Sequence, residues 1–156
     1  MQERIHHELI LDMPEGFHYL DARPSRALPD EGREGGWGMQ SEDLGITITV
    51  LWQQRNPLLV WLADMKAMAR RNEMDARRSY RDHGYQRKGF FSMRLDGKQA
   101  EGYSFTFSLK DVNRYAETVL VKHRENIYNI TCFGNEQHRE ADRALFQNVL
   151  SSVCIG

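Results

Sequence analysis

Cysteine is scarce in this chain: Cys132 and Cys154 are the only two. They show neither CxxC spacing nor the local histidine pattern of a zinc site, and a reducing compartment is the simpler setting. Neither sign of charge dominates. There are 21 Lys and Arg against 22 Asp and Glu, for a formal net charge of −1. A dedicated nucleic-acid binder carries a basic excess, so that class is disfavoured. Long apolar runs are missing too. The stretch from Pro57 to Ala63 is far shorter than the roughly 20 residues a membrane-spanning helix needs. The start, MQERIHHELILDM, lacks the apolar run of a signal peptide and a lipid-attachment cysteine. A cytoplasmic protein without membrane insertion is therefore expected.

Catalytic and cofactor motifs are also lacking. There is no GxSxG and no HExxH, and no carboxylate pair is set for acid–base work. The glycine cluster GREGGWG (32–38) is neither GxGxxG nor a P-loop, since no Gly-Lys-Ser/Thr follows it. His6, His7, His18, His83, His123 and His138 form no ligand spacing. On a strand His6 and His7 would point to opposite faces and could not chelate together. Cys132 with His138 would make a poor nucleophile pair, because Cys132 sits on an apolar face where a thiolate is costly. No metal, no cofactor and no enzymatic activity are expected. A small enzyme assembled from scattered residues such as His123, Tyr128 and Asp96 is the alternative.

What the chain does have is a run of strands. At 156 residues it is long enough for one domain, residues 1–156, with a core that needs no staples. Residues 87–133 contain four strand-like runs, at 89–95, 99–109, 114–124 and 127–133, parted by short turns. β-branched and aromatic residues at this spacing predict an antiparallel meander. With Glu125-Asn126 as a hairpin loop, Val121 would face Ile130, Val119 would face Cys132, and His123 would meet Tyr128 at the surface. An odd loop such as Asp111-Val112-Asn113 puts Tyr103, Phe105, Phe107 and Leu109 on the side of Val119 and Val121. An even loop, allowed if helices cover both faces, sends them to the other side. The odd loop is expected because it gathers the apolar residues together.

Elsewhere, IHHELIL (5–11) reads as a strand stopped by Pro14, and Phe17–Leu20 as a short extended piece. Residues 21–36 read as an acidic Pro- and Gly-rich loop. Ile46, Ile48, Val50 and Trp52 alternate with Thr47 and Thr49, which is a strand with one buried face. Asn56 caps a helix with Pro57 at its first position. Leu58, Trp61, Leu62, Met65, Met68 and Ala69 form its apolar stripe. A last helix, 136–152, is capped by Asn135 and buries Leu145, Phe146, Val149, Leu150 and Val153. The pattern is an α+β fold, with the antiparallel sheet flanked by two main helices.

Charge is unevenly placed. Residues 1–45 are acidic. Residues 66–94 are basic and include Arg70, Arg71, Arg77, Arg78 and Arg81. These arginines, with Trp37 among its glycines, are the candidate partner-binding residues. The plain alternatives are a solvated basic surface and a Trp tucked into the core.

The chain resembles the PsbP-like superfamily, and within it the bacterial DcrB-related group. The residues carrying the likeness are Asp96-Gly97-Lys98-Gln99-Ala100, Tyr103 to Phe107, Val119-Leu120-Val121, Tyr128 to Cys132, and the closing Phe146-x-x-x-Leu150-x-Ser152-Val153. Met13-Pro14-Glu15-Gly16-Phe17 is similar to the family's opening. The resemblance implies a helix-covered antiparallel sheet and a non-catalytic protein-binding or adaptor role, with a homodimer as one arrangement. A chaperone for a secreted, type VI-like effector is the second role it implies. Such a chaperone is expected to show an exposed apolar groove on the sheet, or a paired homodimer, for its client.

Overall fold

The computed structural model describes residues 1–20 and 34–156. Most of the expected acidic loop therefore lies outside the described residues. Its last three positions do not form a loop, because Glu34–Ser41 is a strand, β4. In chain order the other elements are β1 (Gln2–His6), β2 (Leu9–Asp12), β3 (His18–Tyr19), β5 (Ile46–Gln54), α1 (Pro57–Leu62) and α2 (Met65–Ser79). Then follow β6 (Gln86–Leu95), β7 (Lys98–Leu109), β8 (Val112–His123), β9 (Asn126–Asn135), α3 (Arg139–Ser151) and β10 (Cys154–Ile155). Seven strands form one antiparallel sheet in the order β3-β4-β5-β9-β8-β7-β6, and β1-β2-β10 form a smaller one. The expected meander is β6 to β9, at the heart of the large sheet.

Two of its turns differ from expectation. The β8–β9 loop is Arg124-Glu125, with Arg124 at φ 55°, so His123 faces Asn126 and Val121 faces Tyr128. The register is displaced by two, which preserves which side chains share a face. The β7–β8 turn is the even one, Lys110-Asp111, with both φ positive and Leu109 opposite Val112. Tyr103, Phe105 and Phe107 therefore lie on the opposite side from Val119 and Val121. The physical reason is that both faces of the sheet are covered, so the apolar residues have no need to gather on one.

One face carries an aliphatic core. Ile46, Ile48, Val50, Val119, Val121 and Ile130 pack there against the small sheet and against Phe146, Val149 and Leu150 of α3. The other face is aromatic: Tyr103, Phe105 and Phe107 lie with Ala116 and Leu120 beneath Met65 and Ala69 of α2. Cys132 belongs to the aliphatic core, where burial and then Asp142 and Glu117 push its thiol pKa far up. It behaves as a small hydrophobe.

Three local corrections follow from the packing. Residues 5–11 are not one strand; the pairing slips between Arg4 and His6, and the chain turns through His7 and Glu8 into β2. The helix beginning at Asn56 is broken. Asn56 accepts from Leu58 N at 2.9 Å, as expected, but Ala63 is extended and Asp64 caps a new helix by accepting from Lys66 N and Ala67 N. At the C-terminal end, a 3-10 turn at Glu136–His138 precedes α3, and Asn135 makes no side-chain cap. Its backbone N–H donates instead to the Asp142 carboxylate at 2.9 Å.

The glycines of β4 make room for neighbouring side chains. A Cβ on Gly35 would lie 2.2 Å from the Trp52 indole of β5, and one on Gly38 would lie 2.4 Å from Leu20. The close backbone approach these glycines permit holds a tryptophan ring in the fold.

Candidate functional site

Two features stand out from the packed cores. The first is α1. Only Val60 of its six residues is buried. Leu58, Leu59, Trp61 and Leu62 are 61%, 63%, 73% and 63% exposed. The expected stripe is thus divided by the break at Ala63-Asp64. Met65 and Ala69 reach the core with Met68 against them, while Leu58, Trp61 and Leu62 face outward. Lys122 Nζ of β8 holds the helix in place by donating to the carbonyls of Trp61 and Ala63, each at 2.8 Å. Leu51, on the strand before α1, is also exposed.

The basic residues sit on the helix that follows. Arg70, Arg71, Arg77, Arg78 and Arg81 are all exposed. Arg77 is engaged within the fold, where it reaches the buried Glu73 through Nη2 at 3.1 Å and Nε at 3.3 Å. Tyr85 donates to the same carboxylate at 2.6 Å. Arg78 pairs with Asp75 at 3.5 Å, an exposed contact of small worth. Arg70, Arg71 and Arg81 pair with no carboxylate among the described residues. Trp37 stands apart from all five. It lies in β4 opposite Val50, on the face away from α2, partly packed against the aliphatic core and edge-on to Tyr19 at 6.0 Å.

The second feature is a polar cluster where the β1–β2 turn meets the β8–β9 hairpin. Glu8 is buried, and its Oε1 accepts from Asn126 Nδ2 and from the Tyr128 hydroxyl, each at 2.7 Å. Burial favours the protonated carboxyl, but these two hydrogen bonds and nearby His123 and His7 outweigh it and hold the Glu8 pKa below its ordinary value. Because the Tyr128 hydroxyl donates to Glu8, its oxygen accepts from His6 Nδ1–H at 2.8 Å. Burial, then Glu8, pushes the Tyr128 pKa far up. Burial and His7 lower the His6 pKa, and burial lowers that of His123. His123 Nε2 lies 3.9 Å from Glu8 Oε2 and has no hydrogen-bond partner among the described residues.

This cluster corrects two sequence-based expectations. His6 and His7 do not point apart, because the slip at the end of β1 brings their ring centroids to 4.0 Å. Tyr128 is fully buried and is bonded to Glu8, not paired with His123 at the surface. Asp96 makes no hydrogen bond within the cluster; its carboxylate accepts from Ile155 N at 2.8 Å, and its charge acts on His123 only from a distance. Glu8 carries no local motif, and only the separation from residue 8 to residues 123–128 joins the group.

The chain has a PsbP-like fold. Its neighbours include the solution structure of cyanobacterial PsbP (CyanoP) from Synechocystis sp. PCC 6803, with a TM-score of 0.71 at 12% identity over 96% of this chain and 87% of that one. LpqN of Mycobacterium tuberculosis, involved in cell envelope biogenesis, gives 0.55 at 13% identity over 99% of this chain and 90% of that one. PA94 of Pseudomonas aeruginosa, a protein of unknown function, gives 0.54 at 10% identity over 97% and 94%. No protein-family model matches the chain, and no curated protein matches it in sequence. Identities this low establish the fold alone.

Proposed function

We propose that this chain is a non-catalytic protein-binding domain of the DcrB-related kind, and that the outward face of α1 is its docking surface. The observation that carries the reading is the exposure of Leu58, Leu59, Trp61 and Leu62 on one short helix. Removing one such side chain from water is worth about 1.5–3 kcal/mol, and a central Trp is a common binding anchor. Lys66, Arg70 and Arg71 begin the next helix, so the partner is a protein segment with apolar anchors flanked by Asp or Glu. A second copy fits less well, because a symmetric pairing brings these cations toward their own kind. A cytoplasmic setting accords with the exposed free thiol of Cys154. Among the described residues no helix is long and apolar enough to cross a membrane.

A photo-crosslinking residue at position 61 in the native host tests this. A discrete adduct with one other protein is expected. It should fade when Leu58→Ser and Leu62→Ser are added, and again with Lys66→Glu and Arg70→Glu. An adduct only with a second copy, or flotation on anionic vesicles with no protein adduct, would overturn the reading. The same exposed apolar face favours one narrower version, a chaperone for a secreted effector. In that case the crosslinked protein is itself exported, and the adduct is lost once its apolar segment is deleted.

A further inference from the structure

We propose that His6, His7, Glu8 and His123 form a binding site for a divalent transition metal of the Zn2+ class, which rests on none of the docking evidence above. One ligand atom from each of His6, His7 and Glu8 lies within 4.8 Å of the others. His123 Nε2 adds a fourth at 3.9 Å from Glu8 Oε2. Ligands sharing one tetrahedral Zn2+ at bonds of about 2.0–2.2 Å stand roughly 3.3 Å apart. Glu8 and His123 are near that spacing already. His7 is exposed, so its ring is free to close the remainder.

The surroundings supply what metal ligands ordinarily need. Imidazoles and carboxylates that bind metals are held by hydrogen bonds on their far sides. Here a single hydroxyl, that of Tyr128, accepts a hydrogen bond from His6 Nδ1–H and donates one to Glu8 Oε1. The His6 bond leaves Nε2 as the nitrogen with an open lone pair. Asn126 occupies Glu8 Oε1 as well, at 2.7 Å, and Oε2 is the oxygen that faces His123. A polar nitrogen buried without a partner calls for an explanation, and His123 Nε2 is such an atom among the described residues. A cation between it and Glu8 Oε2 satisfies both. Three imidazoles with one carboxylate are borderline ligands, suited to Zn2+ and poorly suited to Mg2+ or Ca2+.

The test is calorimetric titration of the metal-stripped full chain with ZnCl2, paired with visible absorption of the Co2+-loaded protein. One equivalent is expected, with a tetrahedral Co2+ spectrum. Glu8→Gln and His7→Ala should each weaken Zn2+ at least tenfold. Tyr128→Phe should weaken it through positioning alone, by about tenfold or more. His83→Ala with His138→Ala should leave affinity unchanged. Because buried Glu8 supports the fold, exposed His7→Ala carries the test if Glu8→Gln does not fold. No stoichiometric binding by the wild type, or equal affinity in His7→Ala, would overturn the proposal.

Discussion

α1 and α3 each carry large apolar residues at helical spacing, yet they use them in opposite ways. α3 turns Phe146, Val149 and Leu150 inward onto the aliphatic face of the sheet, where all three are buried. α1 buries Val60 alone and presents its leucines and tryptophan to solvent. One helix completes the aliphatic core and the other leaves most of its apolar side chains in solvent. An amphipathic pattern establishes that a helix has an apolar side; which side meets the core depends on where the chain breaks and what the neighbouring strands offer.

Mutations sharpen the contrast. Phe146→Ala empties a fully buried ring site under α3 and should cost about 3–5 kcal/mol in urea unfolding; a loss near that of a surface substitution would break the distinction. Gly35→Ala should cost about 1–3 kcal/mol, because the new methyl meets the Trp52 indole that closes the same core. A changed near-UV circular dichroism signal would locate the strain at Trp52.

Glu117 gives a smaller effect that depends on pH. It is buried on the α3 side, and burial raises its pKa, with Arg143 at 3.7 Å only partly opposing. The folded chain then holds this proton more tightly than the unfolded chain does. The favourable contribution is present below the ordinary carboxylate range and is lost as pH rises through the raised folded value. Glu117→Gln should therefore be indistinguishable from wild type in acid and more stable than wild type at neutral pH, as read by urea unfolding at both pH values. A less stable variant at neutral pH would mean that the Arg143 pair prevails.

The meander was legible because its signals are local. The turn at Asp96-Gly97 has both residues at positive φ, as Asp-Gly turns do, and the alternation from Ile46 to Trp52 is the buried pattern observed. Asn56 with Pro57 marked the start of a helix correctly. Lys110-Asp111 offers no glycine to announce its left-handed turn, so the sequence points to an odd loop where the fold has an even one, and the aromatic strand lies on the other face. The break before α2 had a signal that spacing alone concealed, namely Asp64 as a cap. The polar cluster was hidden twice over. A slip at His6 defeats strand alternation, and its partners lie more than a hundred residues away. The basic stretch is visible as composition, yet only the structure separates Arg77, bound to Glu73, from Arg70, Arg71 and Arg81, which pair with no carboxylate among the described residues.

The central claim is that the outward face of α1 serves a partner and not the fold. Urea unfolding of the Leu58→Ser/Trp61→Ser/Leu62→Ser variant tests it most directly. The account predicts a midpoint and slope matching wild type, with stability changed by no more than about 1 kcal/mol. A loss of several kcal/mol would show that these side chains belong to the core and would contradict it.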